Sequence, residues 1–359
     1  MVFALIYSII IFIFIFGLIK KTSFKTHPQY KISIISAARN EERNIKNLLD
    51  SIQKQTYPKN LYELIIVSDR STDKTIEILR NYDHKNMNLQ YFESPQDNNP
   101  NLIGKKKALS IGIEHAENEI LAFIDADCIP SPYWLEEINK HYDDETDYLL
   151  GYSELLYKNK FATYLKNIER SGFMACVAGA TSLNIAINAS GANLSYRKSM
   201  FNKVNGFEDI GKYQSGDDFL MLFKMAKYIR KMKYMYGNKS SVISYETKNI
   251  NQQINNETRR ASGWKRYPIW LKALTLYVFI FYLYLSYLLI TNFIDGKYSE
   301  LLTLLALKVV PEFLLILIFL IKTGRIKYII AFPIAEILYI PYYVIFGIKG
   351  LVGKFKWKE

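Results

Sequence analysis

The sequence predicts an α/β fold with a mostly parallel, mixed sheet and helices on both faces, flanked by transmembrane helices at the N- and C-terminal ends. Three observations lead to this prediction. Strand and helix patterns alternate from about residue 30 to residue 250, residues 2–19 carry no charge, and long apolar runs follow residue 270. Strand–helix alternation is typical of parallel sheets covered by helices, and uncharged runs of this length are typical of membrane spans.

The composition indicates a membrane partner. The chain has 359 residues, half of them hydrophobic, and a net charge of +12. Its basic residues flank apolar runs and do not form one patch interleaved with aromatic residues, so we expect contact with membrane lipids and no nucleic acid. Only Cys128 and Cys176 are present, which gives no disulfide framework.

Residues 1–20 are predicted to be an N-terminal anchor. A helix over residues 2–19 would be about 27 Å long, close to the thickness of a bilayer core. The alternative is a cleaved signal peptide, which would begin with positive charge, whereas Lys20 and Lys21 follow the apolar run. These lysines indicate that the chain after residue 20 lies on the cytoplasmic side.

Residues 28–250 are predicted to form the α/β domain. Ile45, Leu48, Leu49 and Ile52 have the spacing of one helix face, and Ser71 is the expected N-cap of the second helix. The successive strands and helices are KISIISA, NEERNIKNLLDSIQKQ, YELIIVSD, STDKTIEILRNY, LQYFES, KKKALSIGIEHA and EILAFIDAD.

Two carboxylates end the strand in EILAFIDAD. Alternation along a strand lets Asp125 and Asp127 face the same way. Mg²⁺ or Mn²⁺ would relieve the repulsion between them, because these cations take oxygen ligands. The alternative is a pair of loop aspartates beside a helix that begins near Ser131 and Pro132. Ligands of parallel sheets bind at this carboxyl edge, where the segments 37–39 and 68–69 also lie.

The C-terminal part is predicted to begin with an interfacial amphipathic segment, residues 251–269, and to continue with membrane segments, residues 270–359. The expected spans are 270–294, 301–321 and 328–348. The linker before the last span and the tail after it are both basic, so we expect that segment to be bent, re-entrant or interfacial. Lys308 and Glu312 lie one turn apart and can pair, as a structural or a functional element.

Six motifs in order resemble those of the inverting family 2 glycosyltransferases, which have the GT-A fold and include bacterial cellulose-synthase-like and polysaccharide enzymes. The resemblance covers about residues 30–265. It implies a nucleotide-sugar donor, with a UDP-sugar as the first expectation, and a catalytic domain in the cytoplasm of a bacterial inner-membrane protein. The motifs are ISIISAARNEERNI, LIIVSDRSTDKT, GKKKALSIGI, FIDADC, GANLSYRKSMFNKVNGF and SGDDF.

The resemblance assigns the donor and metal sites. Asp127 looks like the direct metal ligand, and Asp125 would reach the ribose or sugar, also through the metal. Asp69 resembles the family aspartate that accepts a hydrogen bond from the base. Lys105 resembles the lysine near the diphosphate, whereas we expect Lys106 and Lys107 to be solvated.

Four further residues are expected near the donor. Ala37, Arg39 and Glu41 look like the nucleoside floor, although Arg39 and Glu41 could equally be a solvated helix start. Asn193 lies in a loop that resembles one approaching the donor sugar, where Gly191 permits close backbone contact.

Asp218 resembles the family's catalytic base. Inverting transfer needs one carboxylate to accept the acceptor's proton. Two adjacent acids raise each other's pKa, so Asp217 is expected to position and tune Asp218. The alternative is helix capping, since acids are favourable at a helix N-terminus.

One motif departs from the family pattern. Membrane-bound relatives carry Q-x-x-R-W, whereas this chain has Asn256, Arg259 and, one turn later, Trp264. Arg259 can still meet the diphosphate, but the departure favours transfer of a single sugar to a lipid-linked or glycan acceptor. Two other functions remain open: a catalytically degenerate nucleotide-binding scaffold of a polysaccharide-export complex, and a transporter.

Overall fold

The computed structural model describes residues 1–22, 24, 29–85, 87–95, 99–245 and 250–352. Its contacts divide the chain into two units. We call residues 21–156 and 184–245 the sheet unit, and residues 1–20, 157–183 and 246–359 the apolar-helix unit. The predicted boundaries at residues 28 and 250 adjoin the undescribed stretches 25–28 and 246–249, and residues 353–359 of the basic tail also lie outside the described residues.

The sheet unit contains a seven-stranded mixed sheet in the order β3-β2-β1-β4-β8-β6-β9 and a three-stranded sheet in the order β5-β10-β7. In the large sheet only β8 runs antiparallel to its neighbours, β4 and β6. The strands are β1 Ile32–Ala38, β2 Tyr62–Ser68, β3 Asn88–Glu93, β4 Ile120–Phe123, β5 Cys128–Pro130, β6 Thr146–Gly151, β7 Ser153–Leu156, β8 Leu194–Arg197, β9 Lys231–Met235 and β10 Val242–Tyr245.

Twelve α-helices accompany these strands in the described residues. They are α1 Val2–Ile19, α2 Ile45–Gln53, α3 Thr75–Asn81, α4 Lys105–His115, α5 Trp134–His141, α6 Lys160–Ser182, α7 Lys198–Lys203, α8 Phe219–Met225, α9 Ile250–Ser262, α10 Ile269–Ile294, α11 Tyr298–Thr323 and α12 Phe332–Val352. Short 3-10 helices cover Lys59–Leu61, Asn238–Ser240, Gly263–Arg266 and Ile326–Ala331.

The predicted alternation of strands and helices is confirmed. The apolar face of α2 is fully buried in the core cluster of the sheet unit, as its helical spacing predicts. The strands β1 and β2 pair in parallel with Ala38 opposite Ser68, so their carboxyl ends meet at one edge of the sheet. This edge collects the loops that carry the predicted site.

The predicted N-cap of the second helix is wrong. The helix α3 begins at Thr75, and the Asp73 carboxylate accepts a hydrogen bond from the Thr75 N–H at 3.0 Å. The Ser71 hydroxyl instead accepts a hydrogen bond from the Ser68 hydroxyl at 2.9 Å and another from the Asn40 N–H. The residues 71–74 therefore form a loop against the one that follows β1.

The apolar-helix unit holds four segments that are long and apolar enough to cross a membrane: Val2–Ile19, Ile269–Ile294, Tyr298–Thr323 and Ile326–Leu351. They coincide with the predicted N-terminal anchor and the three C-terminal spans. The composition of these helices is compatible with membrane association.

The helix α6 packs within the apolar-helix unit, although its residues lie inside the predicted α/β domain 28–250. Its backbone approaches α1 closely: a Cβ on Gly179 would overlap the Phe14 carbonyl, and one on Gly17 would overlap the Gly179 carbonyl. Small residues allow such backbone contact between helices. No sequence pattern predicts this pairing, because α6 has no apolar run long enough to suggest a span.

That the segment 326–352 is bent, re-entrant or interfacial stays a prediction. The helices α10 and α11 form an antiparallel hairpin, in which the Tyr282 hydroxyl donates to Glu312 at 3.3 Å. The 3-10 helix Ile326–Ala331 begins beside the end of α11, and Gly350 near the end of α12 lies against Ala261, which precedes α10.

A buried polar cluster joins the helices of this unit. The Lys308 ammonium pairs with Glu312 at 3.0 Å, as the sequence predicts, and also with Glu336. The Tyr7 hydroxyl donates to Glu312 at 2.5 Å, and the Tyr282 hydroxyl is a second donor. The Lys308 side chain is fully buried, so its charge is balanced within the protein.

Replacing Lys308 by Met should destabilise the helix bundle strongly. Two buried carboxyl groups would lose their cation, and breaking a buried pair from one side costs about 3–5 kcal/mol. Thermal unfolding in detergent would show this as a lower melting temperature. The matched control is Glu336→Gln, which keeps the Lys308–Glu312 pair and should cost less. Equal melting temperatures of Lys308→Met and the unmodified protein would contradict the account.

Candidate active site

A lysine ammonium joins two acids from distant parts of the sheet unit. Lys105, the first residue of α4, places its Nζ 2.6 Å from Asp125 Oδ1 and 2.9 Å from Asp217 Oδ2. Asp125 follows β4, and Asp217 precedes α8. The loops after β4 and before α8 are therefore held together at the start of α4.

Asp218 lies beside this bridge as the N-cap of α8. Its Oδ1 accepts a hydrogen bond from the Phe219 N–H at 2.7 Å, and its Oδ2 accepts one from the Gly191 N–H at 3.1 Å. One oxygen of this carboxylate, Oδ1, therefore caps the helix, as the capping alternative predicts. The other oxygen reaches the loop that carries Gly191.

The two adjacent acids differ in proton affinity. Burial and then the negative charge of Asp217 raise the pKa of Asp218 to about 6, against the opposing charge of Lys105. Burial acts to raise the pKa of Asp217 too, but Lys105 and then Lys106 lower it below its usual range. Burial disfavours the charged form of Lys105, yet Asp125 and Asp217 raise its pKa well above the ordinary value. Asp217 thus stays ionised, while Asp218 can exchange a proton near neutral pH.

Gly191 permits the close approach of the loop to the charged groups. A Cβ at this position would lie 3.1 Å from Lys105 Nζ and 3.4 Å from Asp217 Oδ2. Contacts this short mean that a side chain here would displace Lys105 Nζ or Asp217 Oδ2 by a few tenths of an ångström, which glycine avoids.

The Asn193 side chain holds the same loop in place. It is fully buried: its Oδ1 accepts from Trp134 Nε1 at 2.9 Å, and its Nδ2 donates to the Tyr152 and Ser240 carbonyls at 3.0 and 2.9 Å. Its amide is thus committed within the protein. Donor contact by Asn193 stays a prediction, and we expect any such contact to come from its backbone.

Asp125 and Asp127 offer oxygen ligands for a metal. One ligand atom from each of Asp125, Asp127 and Cys128 lies within 4.8 Å of the others. Burial, and then the charges of the two aspartates, raise the pKa of the Cys128 thiol well above its usual value, so the thiol stays protonated. A hard cation such as Mg²⁺ or Mn²⁺ fits the two carboxylates and not the thiol. Neither acid caps α5, which begins at Trp134.

Asp69 reaches the same edge of the sheet. It follows β2, is 4% exposed, and pairs with the Arg70 guanidinium at 3.0 Å. Its Oδ2 lies 4.0 Å from the position of a Cβ on Gly104, the residue before Lys105. The predicted base-binding aspartate is therefore next to the start of α4. Arg70, with a left-handed φ of 54°, did not figure among the predicted site residues.

The nucleoside floor predicted after β1 also lies at this edge. Ala37 pairs with Val67 of β2. The Nε of Arg39 is buried without a hydrogen-bond partner in the part of the chain that the structure describes. Glu41 accepts a bond from the Asn44 side chain at 2.7 Å. Their contacts with a donor stay predictions.

Arg259 lies elsewhere in the chain. It belongs to α9 of the apolar-helix unit, whereas the other predicted site residues belong to the sheet unit. Its contact with the diphosphate stays a prediction.

The expectation of solvated Lys106 and Lys107 is wrong. The two residues are only 1% and 9% exposed. Lys106 Nζ donates to the carbonyls of Tyr213 and Ser215 at 2.6 and 3.0 Å, and Lys107 Nζ donates to the Pro95 carbonyl at 2.6 Å. A signal was available: three lysines in succession at a helix N-terminus face the positive end of the helix dipole, so each needs acceptors nearby.

Comparison with known proteins finds similarity over part of the chain. The family model described as glycosyl transferase family 2 matches residues 33–204. These residues are therefore similar to a family 2 glycosyltransferase domain. The chain is 37% identical over 105 residues to the glycosyltransferase AglE of Haloferax volcanii, covering 29% of this chain and 33% of AglE. It is 29% identical over 188 residues to the poly-β-1,6-N-acetyl-D-glucosamine synthase of Staphylococcus aureus strain COL, covering 51% of this chain and 43% of the synthase.

The chain thus spans less than half the length of these two curated relatives. Among solved structures, the mannosyltransferase PcManGT from Pyrobaculum calidifontis, in complex with GDP-Man and Mn²⁺, aligns with a TM-score of 0.57 and 17% identity. The alignment covers 98% of this chain and 95% of PcManGT. The likeness shows a shared fold, and the GT-A fold expected from the sequence is confirmed.

Replacing Asp217 by Asn should move the acid limb of the sugar-transfer pH profile below its position near pH 6. Loss of the neighbouring negative charge lowers the pKa of Asp218, so this carboxylate, the predicted base, stays ionised at lower pH. The profile of kcat/KM against pH would measure this shift. The control is Asp83→Asn, which removes an exposed carboxylate and should leave the limb in place. An unchanged or higher limb in Asp217→Asn would contradict the assignment.

Proposed function

We propose that this chain is a membrane-bound inverting glycosyltransferase that moves one sugar from a nucleotide-sugar to a lipid-linked or glycan acceptor at the cytoplasmic face. The observation that carries the proposal is the acid cluster of a family 2 domain, in which Lys105 bridges Asp125 and Asp217 beside Asp218. The shared loop edge gives donor, metal and base a common location.

The donor would lie along the carboxyl edge of the sheet. Asp69 would accept a hydrogen bond from the nucleobase of the donor, with Arg39 and Glu41 near the nucleoside. Lys105 would face the diphosphate, where its ammonium offers a positive charge that Asp125 and Asp217 hold in place. A UDP-sugar is the first candidate, as the motif resemblance implies, and the GDP-Man complex of PcManGT supports the wider nucleoside-diphosphate class.

Asp127, with Asp125, would hold Mg²⁺ or Mn²⁺. When bound, the cation supplies positive charge that stabilises the leaving diphosphate. The Mn²⁺ in the PcManGT complex supports this cofactor. The buried, protonated Cys128 beside them limits the ligands of this site to oxygen atoms.

Asp218 would act as the general base. The acceptor hydroxyl gives its proton to Asp218 as its oxygen bonds to the anomeric carbon from the face opposite the diphosphate, and the carbon–diphosphate bond breaks. A carboxylate with a pKa of about 6 is ionised at neutral pH and still basic enough to accept the proton. Asp217, held by Lys105, keeps this carboxylate in place.

The four long apolar helices support a membrane-associated acceptor. The lysines after α1 favour the cytoplasmic side for the segment that leads into the sheet unit. A lipid-linked acceptor would share the bilayer with these helices.

A donor panel tests the proposal. We expect one nucleotide-sugar among UDP-, GDP- and CMP-sugars to raise the melting temperature of the full chain with Mn²⁺, because a ligand of the native state stabilises it. The same sugar should be transferred or hydrolysed. Asp218→Asn should keep donor binding and lose turnover by about 10²-fold or more, and Asp127→Ala should lose the Mn²⁺ dependence of binding.

The control Asp83→Asn should behave like the unmodified protein. Binding of a donor without turnover by the unmodified chain, unchanged by Asp218→Asn, would instead indicate a nucleotide-binding scaffold. Absence of both binding and turnover for every donor would refute the proposal.

A further inference from the structure

Lys106 is a buried lysine to which the donor, metal and base assignments give no role. Its side chain is 1% exposed, and its Nζ donates to the carbonyls of Tyr213 and Ser215. Both acceptors belong to the loop that leads directly to Asp217 and Asp218. The ammonium therefore holds the backbone of the segment that carries the acid pair.

Burying the Lys106 ammonium is energetically unfavourable. A buried ammonium loses its hydration, and at the start of α4 it also faces the positive end of the helix dipole. Backbone carbonyls repay part of this cost through charge-assisted hydrogen bonds. An apolar residue at this position would avoid the loss of hydration and the unfavourable helix dipole. The presence of a lysine is therefore best explained by its hydrogen bonds to the Tyr213 and Ser215 carbonyls.

The loop needs such an anchor. Its Gly216 has a φ of 89°, in the region that favours glycine, and makes the turn into Asp217. Lys105 holds the Asp217 side chain on one side of this turn, and Lys106 holds the Ser215 carbonyl on the other. The turn is thus fixed at two points by adjacent residues of one helix.

We propose that Lys106 is a positioning residue for the transfer reaction: by fixing the Tyr213 and Ser215 carbonyls it sets the place of Asp218 against the acceptor hydroxyl. This inference rests on the proposed function. Asp218 reaches the Gly191 N–H at 3.1 Å, so a small displacement of the turn would break that contact and move the base. Misplacement of a reacting group by about 1 Å can cost about 10²-fold in rate.

The test is Lys106→Met in the full chain, with Lys106→Gln and Lys106→Arg beside it. We expect Lys106→Met to lower kcat by about 10²-fold while the dissociation constant of the donor, measured from thermal stabilisation, changes by less than about threefold. Lys106→Arg keeps a cationic donor and should restore part of kcat. Lys106→Gln can still donate to one carbonyl, so its kcat should lie between those of Lys106→Met and Lys106→Arg. If Lys106→Met does not fold, the kcat of Lys106→Gln provides the test.

The matched control is Lys233→Met. Lys233 is also buried and donates to a backbone carbonyl, that of His141, and to Asp143, but it does not touch the loop 213–218. We expect Lys233→Met to lose stability and to keep its kcat. This result would show that losing a buried lysine does not by itself lower kcat.

Unchanged kcat in folded Lys106→Met and Lys106→Gln would overturn the inference, as would an equal loss of donor affinity and kcat. Failure of the unmodified protein to turn over any donor would instead refute the proposed function, so the two failures are distinguishable.

Discussion

The ion bridge from Lys105 to Asp125 and Asp217 is the interaction on which the candidate site depends. The two acids arrive from segments about ninety residues apart, and without a cation between them their charges would oppose the meeting of those segments. The bridge keeps Asp217 ionised, and that charge in turn helps to give Asp218 the proton affinity of a base. One lysine thus connects Asp125, a proposed metal ligand, to the acid pair Asp217 and Asp218.

The start of α4 organises the site through three successive lysines. Lys105 contacts carboxylates, Lys106 the loop before Asp217, and Lys107 the loop after β3. Cations are electrostatically unfavourable at a helix N-terminus, so each of them requires acceptors that the surrounding loops supply. The positions of those loops are consequently coupled to one turn of helix, next to the Asp69 carboxylate.

Sequence patterns predicted the alternating elements, the apolar spans and the placement of the segments 37–39, 68–69 and 125–127 at one edge of the sheet, because periodicity and strand order determine which loops share an edge. They did not predict the burial of Lys106, since its acceptors are backbone carbonyls about a hundred residues away. They also missed the association of α6 with the apolar helices, which depends on backbone contact at single glycines. Long-range polar and close-packed contacts have no local sequence period.

The most direct test of the bridge is a double-mutant cycle of Lys105→Met and Asp217→Asn, read as the free energy of unfolding of the full chain in detergent. Residues in one ion-pair network usually show interaction energies of about 0.5–3 kcal/mol. We predict a value in the upper half of that range, with the double variant less destabilised than the sum of the single variants. Additive effects of the two substitutions would show that Lys105 and Asp217 are not coupled, and would contradict the account.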